Sequence, residues 1–162
     1  MDRRLAASPG HSARTVQWVA PGALARSSRP GYLSGARDPV GKSVVDGWIE
    51  TAQVHGIRSI VCLLADEHLR LYASLGEDLP SYYRRHGFEV VHLPVLDYQQ
   101  PPLDDATLAR IADAYAVLPK AVLVHCSAGI DRTGAAIEYL QRRFDLGAST
   151  DGRGSKGANA PA

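Results

Sequence analysis

A strand, a tight loop and a helix follow one another in the last third of the chain, and this unit constrains the fold more than any other stretch. The apolar residues 121–124 are typical of a buried strand, and Ile137, Leu140 and Phe144 recur on one helix face. Residues 125–134 lie between these two patterns. A loop in that position directs its backbone N–H groups and the positive end of the helix dipole into one small volume, which predicts an anion-binding site.

Two side chains of this loop carry reactive chemistry. Cys126 opens the loop, where the positive field favours thiolate over thiol. Arg132 closes it six positions later, and its planar guanidinium suits two oxygens of a tetrahedral oxyanion. Gly129 allows the backbone to turn its N–H inward without a side chain in the way. The loop therefore combines a nucleophile with a phosphate-binding group; the alternative is a buried cysteine with an unrelated surface arginine.

The loop resembles the signature of the cysteine-dependent phosphatases, and the resemblance extends over residues 18–144. In this family a His precedes the Cys, five residues separate the Cys from the Arg, and Thr or Ser follows the Arg. The resemblance implies a phosphate-binding loop and helix start made of His125, Cys126, Ser127, Ala128, Gly129, Ile130, Asp131, Arg132 and Thr133.

A second motif supplies an acid. Asp97 lies where an extended strand breaks into a proline-rich loop, 29 residues before Cys126. That interval accommodates one helix and one strand, so both strand ends are expected at the same sheet edge. In the dual-specificity branch of the family an Asp about this far ahead of the Cys is the general acid, which implies that role for Asp97; an Asp that starts a turn is the alternative. Asp104 and Asp105 are predicted to cap and begin the next helix.

These residues predict a two-step reaction. The Cys126 thiolate attacks phosphorus while Arg132 and the loop amides hold the non-bridging oxygens, giving a phosphocysteine. Asp97 donates a proton to the departing oxygen and, once ionised, helps a water molecule attack the intermediate. Thr133 is expected to hydrogen-bond the thiolate as it leaves. His125 is expected either to orient Cys126 or simply to pack at the strand end, rather than to carry a proton.

Four further residues are assigned through the resemblance. It implies that Arg26, Ser27 and Ser28 lie at the mouth of the pocket, and ordinary polar residues near a strand end are the alternative. Cys62 is predicted on a core strand. It is either plain core or a resolving thiol that protects oxidised Cys126 as a disulfide, as similar pairs do in some relatives.

Residues 36–43 nearly fit the sequence motif of the phosphate-binding loop in nucleotide hydrolases, but two features of the sequence argue against nucleotide hydrolysis. The first position is Ala36 where the motif has Gly, and residues 32–34 make a poor buried strand. We therefore interpret Ser43 as the N-cap of an amphipathic helix that stops at Gly56.

The order of the predicted elements favours an α/β fold. Helices alternate with apolar strands in most of the chain, and helix-to-strand steps are typical of a parallel sheet. The predicted strands are 15–19, 23–27, 57–64, 88–95 and 121–124. We expect a single domain with a central, mostly parallel sheet of about five strands flanked by helices, as in the dual-specificity phosphatases.

The predicted catalytic domain covers residues 15–144. Residues 1–14 are polar and are expected to form a flexible arm. Residues 145–162 are rich in Gly, Ala and Ser and are expected to be disordered. Relatives usually continue with one or two more helices after this point, and their absence is expected to leave apolar surface uncovered, with an oligomeric state that the sequence does not define.

The composition limits the kinds of binding partner and the cellular compartment that we expect for this protein. Among the 162 residues, 18 Lys and Arg stand against 17 Asp and Glu, so attraction to nucleic acid or to a membrane surface is not expected. Two cysteines are too few for a disulfide framework, and no membrane span or signal peptide is expected, so we predict a cytoplasmic protein. The histidines lack metal-ligand spacing, so neither a metal nor another cofactor is expected.

Together these patterns predict a metal-independent phosphomonoester hydrolase of the dual-specificity type. Its substrate is expected to be a phosphorylated protein or a small phosphomonoester. Two alternatives remain open from the sequence. A phosphate-binding module without turnover is the first, and a nucleotide hydrolase is the less favoured second.

Overall fold

A five-stranded sheet forms the centre of the fold, seen in a computed structural model that describes residues 16–33 and 37–146. The strands are β1 (Gln17–Ala20), β2 (Leu24–Ser27), β3 (Ser59–Cys62), β4 (Glu89–His92) and β5 (Val122–His125). They lie in the order β1-β2-β5-β3-β4, with β1 antiparallel to β2 and every other pair parallel. This confirms the predicted α/β class with a mostly parallel sheet. The predicted arm, 1–14, and residues 147–162 of the predicted tail lie outside the described residues.

Helices cover both faces of this sheet. They are α1 (Lys42–Val54), α2 (Asp66–Leu69), α3 (Leu79–Arg85), α4 (Asp105–Val117) and α5 (Asp131–Phe144), and a 3₁₀ helix over Arg70–Leu75 follows α2. Side chains alternate along each strand, so β5 contributes Leu123 to the layer with α1 and α3, and Val122 and Val124 to the layer with α4 and α5. The sheet is thus buried on both sides, as expected for parallel strands.

The helix boundaries correct one predicted cap and confirm two others. Ser43 is not the N-cap of α1, because Gly41 takes the extended conformation of that position and the helix begins at Lys42. Gly56 ends the helix as predicted, with φ of +83° and its N–H donating to the Gln53 carbonyl at 2.9 Å. Asp104 caps α4 as predicted, since its carboxylate accepts from the Thr107 N–H at 2.8 Å.

The topology brings three chain segments to one edge of the sheet. The carboxyl ends of β3, β4 and β5 point the same way because these strands are parallel neighbours. Cys126 follows β5 directly, Asp97 lies a few residues beyond β4, and Arg132 stands in the first turn of α5. Ligands of open parallel sheets bind at this edge.

Within the described ranges, none of the helices is long and apolar enough to cross a membrane.

Candidate active site

The loop between β5 and α5 is fixed from behind by the end of β2 and the residues that follow it. The Arg29 N–H donates to the Ser127 carbonyl at 2.9 Å, and Arg26 Nη2 donates to the Gly129 carbonyl at 2.9 Å. Gly129 has φ of +77°, and a Cβ at this position would lie 2.5 Å from the Ser27 carbonyl oxygen. Only glycine fits this close approach of two backbones, so the loop conformation depends on it.

Arg132 is buried, with a side chain that is only 2% exposed, and several contacts fix its position. Its Nη1 donates to the Val95 carbonyl at 2.8 Å and to the Leu63 carbonyl at 3.3 Å. Its Nη2 lies 3.3 Å from a carboxylate oxygen of Asp97. Its Nε is buried and has no hydrogen-bond partner in the described part of the chain. A buried guanidinium N–H without a partner fits an oxygen of a bound oxyanion.

Asp97 completes a group of three with Cys126 and Arg132. The backbone N–H of Tyr98 donates to one carboxylate oxygen of Asp97 at 3.0 Å, and the other faces Arg132. All three side chains line one cavity of about 330 Å³, near the lower end of the range of ligand pockets. The cavity is also lined by Arg29, Tyr32, Arg37, His68, Tyr98, Ser127, Ala128, Ile130 and Asp131. The three residues, which were predicted from two separate motifs, therefore meet at one site.

His125 has no exposed surface and two defined hydrogen bonds. Its Nδ1 lies 2.9 Å from the Cys126 carbonyl oxygen, which can only accept, so Nδ1 carries the proton. Its Nε2 then accepts from the Tyr83 hydroxyl at 2.9 Å. Burial lowers the pKa of His125 to about 4, so the ring is neutral near pH 7. This geometry suits a residue that orients Cys126 and not one that carries a proton.

Thr133 follows Arg132 in the first turn of α5 and is fully buried. Its Oγ1 has no hydrogen-bond partner in the described part of the chain. An unsatisfied buried hydroxyl calls for an explanation. A hydrogen bond to the thiolate of Cys126 during turnover, as predicted, would supply the partner.

The predicted position of Arg26, Ser27 and Ser28 is wrong. The cavity lining does not include them, and Ser27 and Ser28 are 1% and 0% exposed. They lie behind the loop because Gly129 packs directly on the Ser27 carbonyl group. Trp48 also covers this segment, with its Nε1 donating to the Ser28 carbonyl at 3.1 Å. Arg26 instead supports the loop through its hydrogen bond to Gly129.

Cys62 lies next to the site in the sheet but in a different core layer. It pairs with His125 in the β3–β5 register, and it packs in the layer of α1 and α3, while Cys126 packs in the opposite layer. Both thiols are free, and burial raises the pKa of Cys62 to about 12. The structure places Cys62 as a core residue, and its redox role stays a prediction.

Two buried residues of the cavity wall were missed from the sequence. Arg29 is 2% exposed, and its Nε and Nη1 donate to the hydroxyl groups of Ser127 and Tyr72, each at 3.1 Å. His68, in α2, is 3% exposed. Arg29 directly follows Arg26, Ser27 and Ser28, so the resemblance in that stretch could have indicated that Arg29 lies near the site. A single histidine in a polar segment, such as His68, gives no sequence indication of a site residue. No group of three potential metal ligands occurs among the described residues.

Comparisons with known proteins place this site in a family. The family model described as a polymorphic toxin system, DSP-PTPase phosphatase, matches residues 34–143. None of the curated protein sequences matches the chain. Solved structures that share its fold include three at 21–22% sequence identity.

The first of these, Tk-PTP in its active form, has a TM-score of 0.51 at 22% identity over 82% of this chain and 76% of that one. Kinase associated phosphatase, solved with serine in place of its catalytic cysteine, has a TM-score of 0.53 at 21% identity, over 72% of this chain and 65% of that one. The human tyrosine phosphatase-like serine/threonine/tyrosine-interacting protein has a TM-score of 0.52 at 22% identity, over 82% of this chain and 76% of that one. With the family model covering most of its length, the chain belongs to the polymorphic toxin system DSP-PTPase phosphatases, and is thus a cysteine-dependent protein tyrosine or dual-specificity phosphatase.

Proposed function

We propose that this phosphatase hydrolyses phosphomonoesters through a covalent phosphocysteine on Cys126, without a metal ion. One observation carries the proposal. The buried guanidinium of Arg132 is fixed by two backbone carbonyls and by Asp97, and it shares a small cavity with the Cys126 thiol. A nucleophile, an oxyanion-binding cation and an acid in one cavity are the groups that phosphoryl transfer to a thiol needs.

In the first step the Cys126 sulfur forms a bond to phosphorus while the bond from phosphorus to the ester oxygen breaks. Arg132 Nε and the inward N–H groups of the loop bind the non-bridging oxygens, where the charge lies. Asp97, in its protonated form, transfers its proton to the departing oxygen, so the product leaves as an alcohol or phenol.

In the second step a water molecule attacks the phosphocysteine. Asp97, now ionised, accepts a proton from this water, and the bond from sulfur to phosphorus breaks to release inorganic phosphate. Thr133 Oγ1, which has no partner in the described part of the chain, donates a hydrogen bond to the departing thiolate. His125 remains neutral in this scheme and positions Cys126 through the Cys126 carbonyl.

The rim of the cavity bears on the substrate class. Tyr98 and Ile130 line the cavity and are 85% and 46% exposed, and Leu96 nearby is 60% exposed. An apolar rim around a polar base suits a phosphoryl group that is carried on an organic group, so we propose a phosphorylated protein or a small phosphomonoester as the substrate. Because a thiolate nucleophile is open to oxidation, we further propose that the enzyme works in a reducing compartment such as the cytoplasm.

The test is hydrolysis of p-nitrophenyl phosphate in the presence of a chelator. Wild type is expected to be active, Cys126→Ser and Arg132→Ala inactive, and a phosphoryl adduct is expected on wild-type Cys126 after rapid acid quench and mass spectrometry. Arg110→Ala is the matched control, because Arg110 is exposed on α4 and outside the cavity lining. A folded wild type that binds phosphate without turnover would support the binding-module alternative, and dependence on magnesium would support the nucleotide hydrolase.

A further inference from the structure

The side chain of Ser127 brings a hydroxyl group to the cavity directly after Cys126. Ser127 is 7% exposed and lines the cavity, and its Oγ accepts a hydrogen bond from Arg29 Nε at 3.1 Å. A serine hydroxyl also has one proton to donate. Among the described residues, the Ser127 hydroxyl donates this proton to no other group. The loop therefore offers one O–H donor at the cavity besides its backbone N–H groups.

We propose that this hydroxyl donates a hydrogen bond to a non-bridging oxygen of the reacting phosphoryl group, and that Arg29 is the positioning residue that directs it there. The oxygen is charged, so the bond is stronger than one between two neutral groups. The inference rests on the proposed function, because it adds a donor for the same phosphoryl group that reacts at Cys126.

Arg29 holds both the backbone and the side chain of Ser127. Its backbone N–H donates to the Ser127 carbonyl at 2.9 Å, while Nε donates to the Ser127 hydroxyl. Because the Nε–H group occupies one acceptor position of Oγ, the hydroxyl proton cannot point toward Arg29. The rotation of the hydroxyl group is thus restricted before the substrate arrives. A donor that is oriented in advance loses little conformational entropy when it binds its acceptor.

Arg29 is itself fixed from the 3₁₀ helix. Its Nη1 donates to the Tyr72 hydroxyl at 3.1 Å, and this hydroxyl donates to the Pro30 carbonyl at 2.6 Å. Tyr72 is 1% exposed, and burial raises the pKa of its hydroxyl to about 12, so it keeps its proton near pH 7. The Arg29 guanidinium also lies 5.5 Å from the centroid of the Tyr32 ring. These contacts leave the planar guanidinium one orientation.

The shape of the Arg29 side chain, and not only its charge, is needed for this role. Asp97 and Asp131 line the cavity together with its arginines, so a further positive charge is not what distinguishes Arg29. Its distinguishing feature is a rigid group of N–H donors that reaches the hydroxyls of Ser127 and Tyr72 at once. Lysine carries the same charge on a flexible chain without this fixed arrangement of donors. Arg29→Lys therefore separates position from charge.

The experiment is a double-mutant cycle on kcat/KM for p-nitrophenyl phosphate. Ser127→Ala should lower kcat/KM by about tenfold or more, the effect of one hydrogen bond to a charged group. Arg29→Lys should give a similar loss in the wild-type background. In the Ser127→Ala background it should cost little more, because both changes remove the same hydrogen bond. Urea unfolding shows which variants are folded, and Arg29→Gln replaces Arg29→Lys in the cycle if the lysine variant is unfolded.

A buried serine away from the cavity provides the matched control. Ser59, at the start of β3, has no exposed surface, and its Oγ donates to the Pro119 carbonyl at 2.7 Å. Ser59→Ala should lose stability and keep kcat/KM. A second readout is the pH dependence of Cys126 alkylation by iodoacetamide, which gives the pKa of the thiol. Ser127→Ala should leave this pKa unchanged, because the proposed acceptor is the phosphoryl oxygen and not the thiolate.

The outcomes separate this inference from the proposed function. A wild type that hydrolyses p-nitrophenyl phosphate while Ser127→Ala keeps its kcat/KM overturns the inference alone. Losses that add fully in the double variant, or a shifted thiol pKa in Ser127→Ala, overturn it as well. If wild type does not turn over any phosphomonoester, the proposed function fails, and calorimetric binding of orthovanadate to the same variants then decides the inference. Binding about tenfold weaker in Ser127→Ala supports it, and equal binding overturns it.

Discussion

Arg132 and Asp97 face each other across 3.3 Å inside the cavity, between Nη2 of the arginine and a carboxylate oxygen of the aspartate. The proposed phosphate-binding cation and the proposed general acid therefore neutralise each other. A phosphoryl dianion that enters the cavity competes with Asp97 for Arg132.

The variant Asp97→Asn tests this relationship while keeping the size of the side chain. We expect kcat to fall by about 10²-fold for alkyl phosphates, because their leaving group needs a proton, and by less for p-nitrophenyl phosphate. KM should not rise, since Arg132 loses a competing carboxylate. The measurement is kcat against the basicity of the leaving group. Asp131→Asn is the comparison, because it changes the charge of the cavity without removing the acid, and it should keep the wild-type slope.

The close approach of Gly129 to Ser27 gives a second prediction. In Gly129→Ala the new Cβ would lie 2.5 Å from the Ser27 carbonyl oxygen at a positive φ, so the loop has to shift. A displacement of about 1 Å in such a loop lowers activity by about 10²-fold. We also expect the free energy of unfolding to fall by about 3 kcal/mol or more, from strain and the clash together.

The chain offers a matched control for this variant. Gly22 lies in the turn between β1 and β2 at nearly the same φ, +78°, but its Cβ position has no atom within 4 Å. Gly22→Ala should therefore lose only the cost of the left-handed conformation, about 1–2 kcal/mol, and keep full activity. The readouts are urea unfolding and kcat/KM. Equal losses of stability and activity in both variants would show that the contact with Ser27 is not what matters.

The central part of the site could be predicted because its information is local. Cys126 and Arg132 share one loop, and the strand before it and the helix after it are visible as apolar patterns, so geometry follows from a contiguous segment. Asp97 required one further step, the expectation that parallel strands end at one edge. The structure does place Asp97 against Arg132.

The remaining parts of the site depend on contacts between distant residues. Arg29 reaches Ser127 and Tyr72, which lie 98 and 43 residues away in the sequence, and no local pattern encodes such pairs. Ser27 and Ser28 looked like rim residues, but the contact of Gly129 with the Ser27 backbone buries them behind the loop. The start of α1 is likewise set by the extended backbone conformation of Gly41, although Ser43 is the residue type that prefers the N-cap position.

Thr133 gives a prediction in which stability and activity change in opposite directions. Thr133→Val replaces a buried hydroxyl that has no partner in the described residues by a methyl group. We expect the variant to be as stable as wild type or about 1 kcal/mol more stable, because an unsatisfied polar group is removed. We expect hydrolysis of the phosphocysteine to slow by about tenfold, because the departing thiolate loses a hydrogen bond.

Pre-steady-state kinetics measure this effect directly. If the second step slows, Thr133→Val should release a burst of p-nitrophenol followed by a slower steady state. Thr133→Ser retains the hydroxyl and is expected to behave as wild type in the kinetics. A Thr133→Val enzyme with unchanged rates for both steps would remove Thr133 from the proposed mechanism.

The buried His125 predicts how stability depends on pH. Its pKa is about 4 in the folded protein, against the usual value of 6.5, because burial disfavours the charged ring. The unfolded chain therefore binds a proton below about pH 6.5, whereas the folded protein does so only near pH 4. Stability should fall as the pH drops through this window, by about 3 kcal/mol in total from this residue. Above pH 6.5 the contribution is constant.

Two variants isolate this contribution in urea unfolding measured between pH 4.5 and 7.5. His125→Gln has no titrating ring, so its free energy of unfolding should depend less steeply on pH, by up to about 1.4 kcal/mol per pH unit. Tyr83→Phe removes the hydroxyl that donates to His125 Nε2 but leaves the ring buried, so it should lose stability and keep most of the pH dependence. A weaker dependence will remain in His125→Gln, because burial and nearby arginines also lower the pKa of His68. If His125→Gln kept the full wild-type slope, the acid sensitivity would belong to His68 or to other groups, and His125 would not be the neutral, buried residue that positions Cys126.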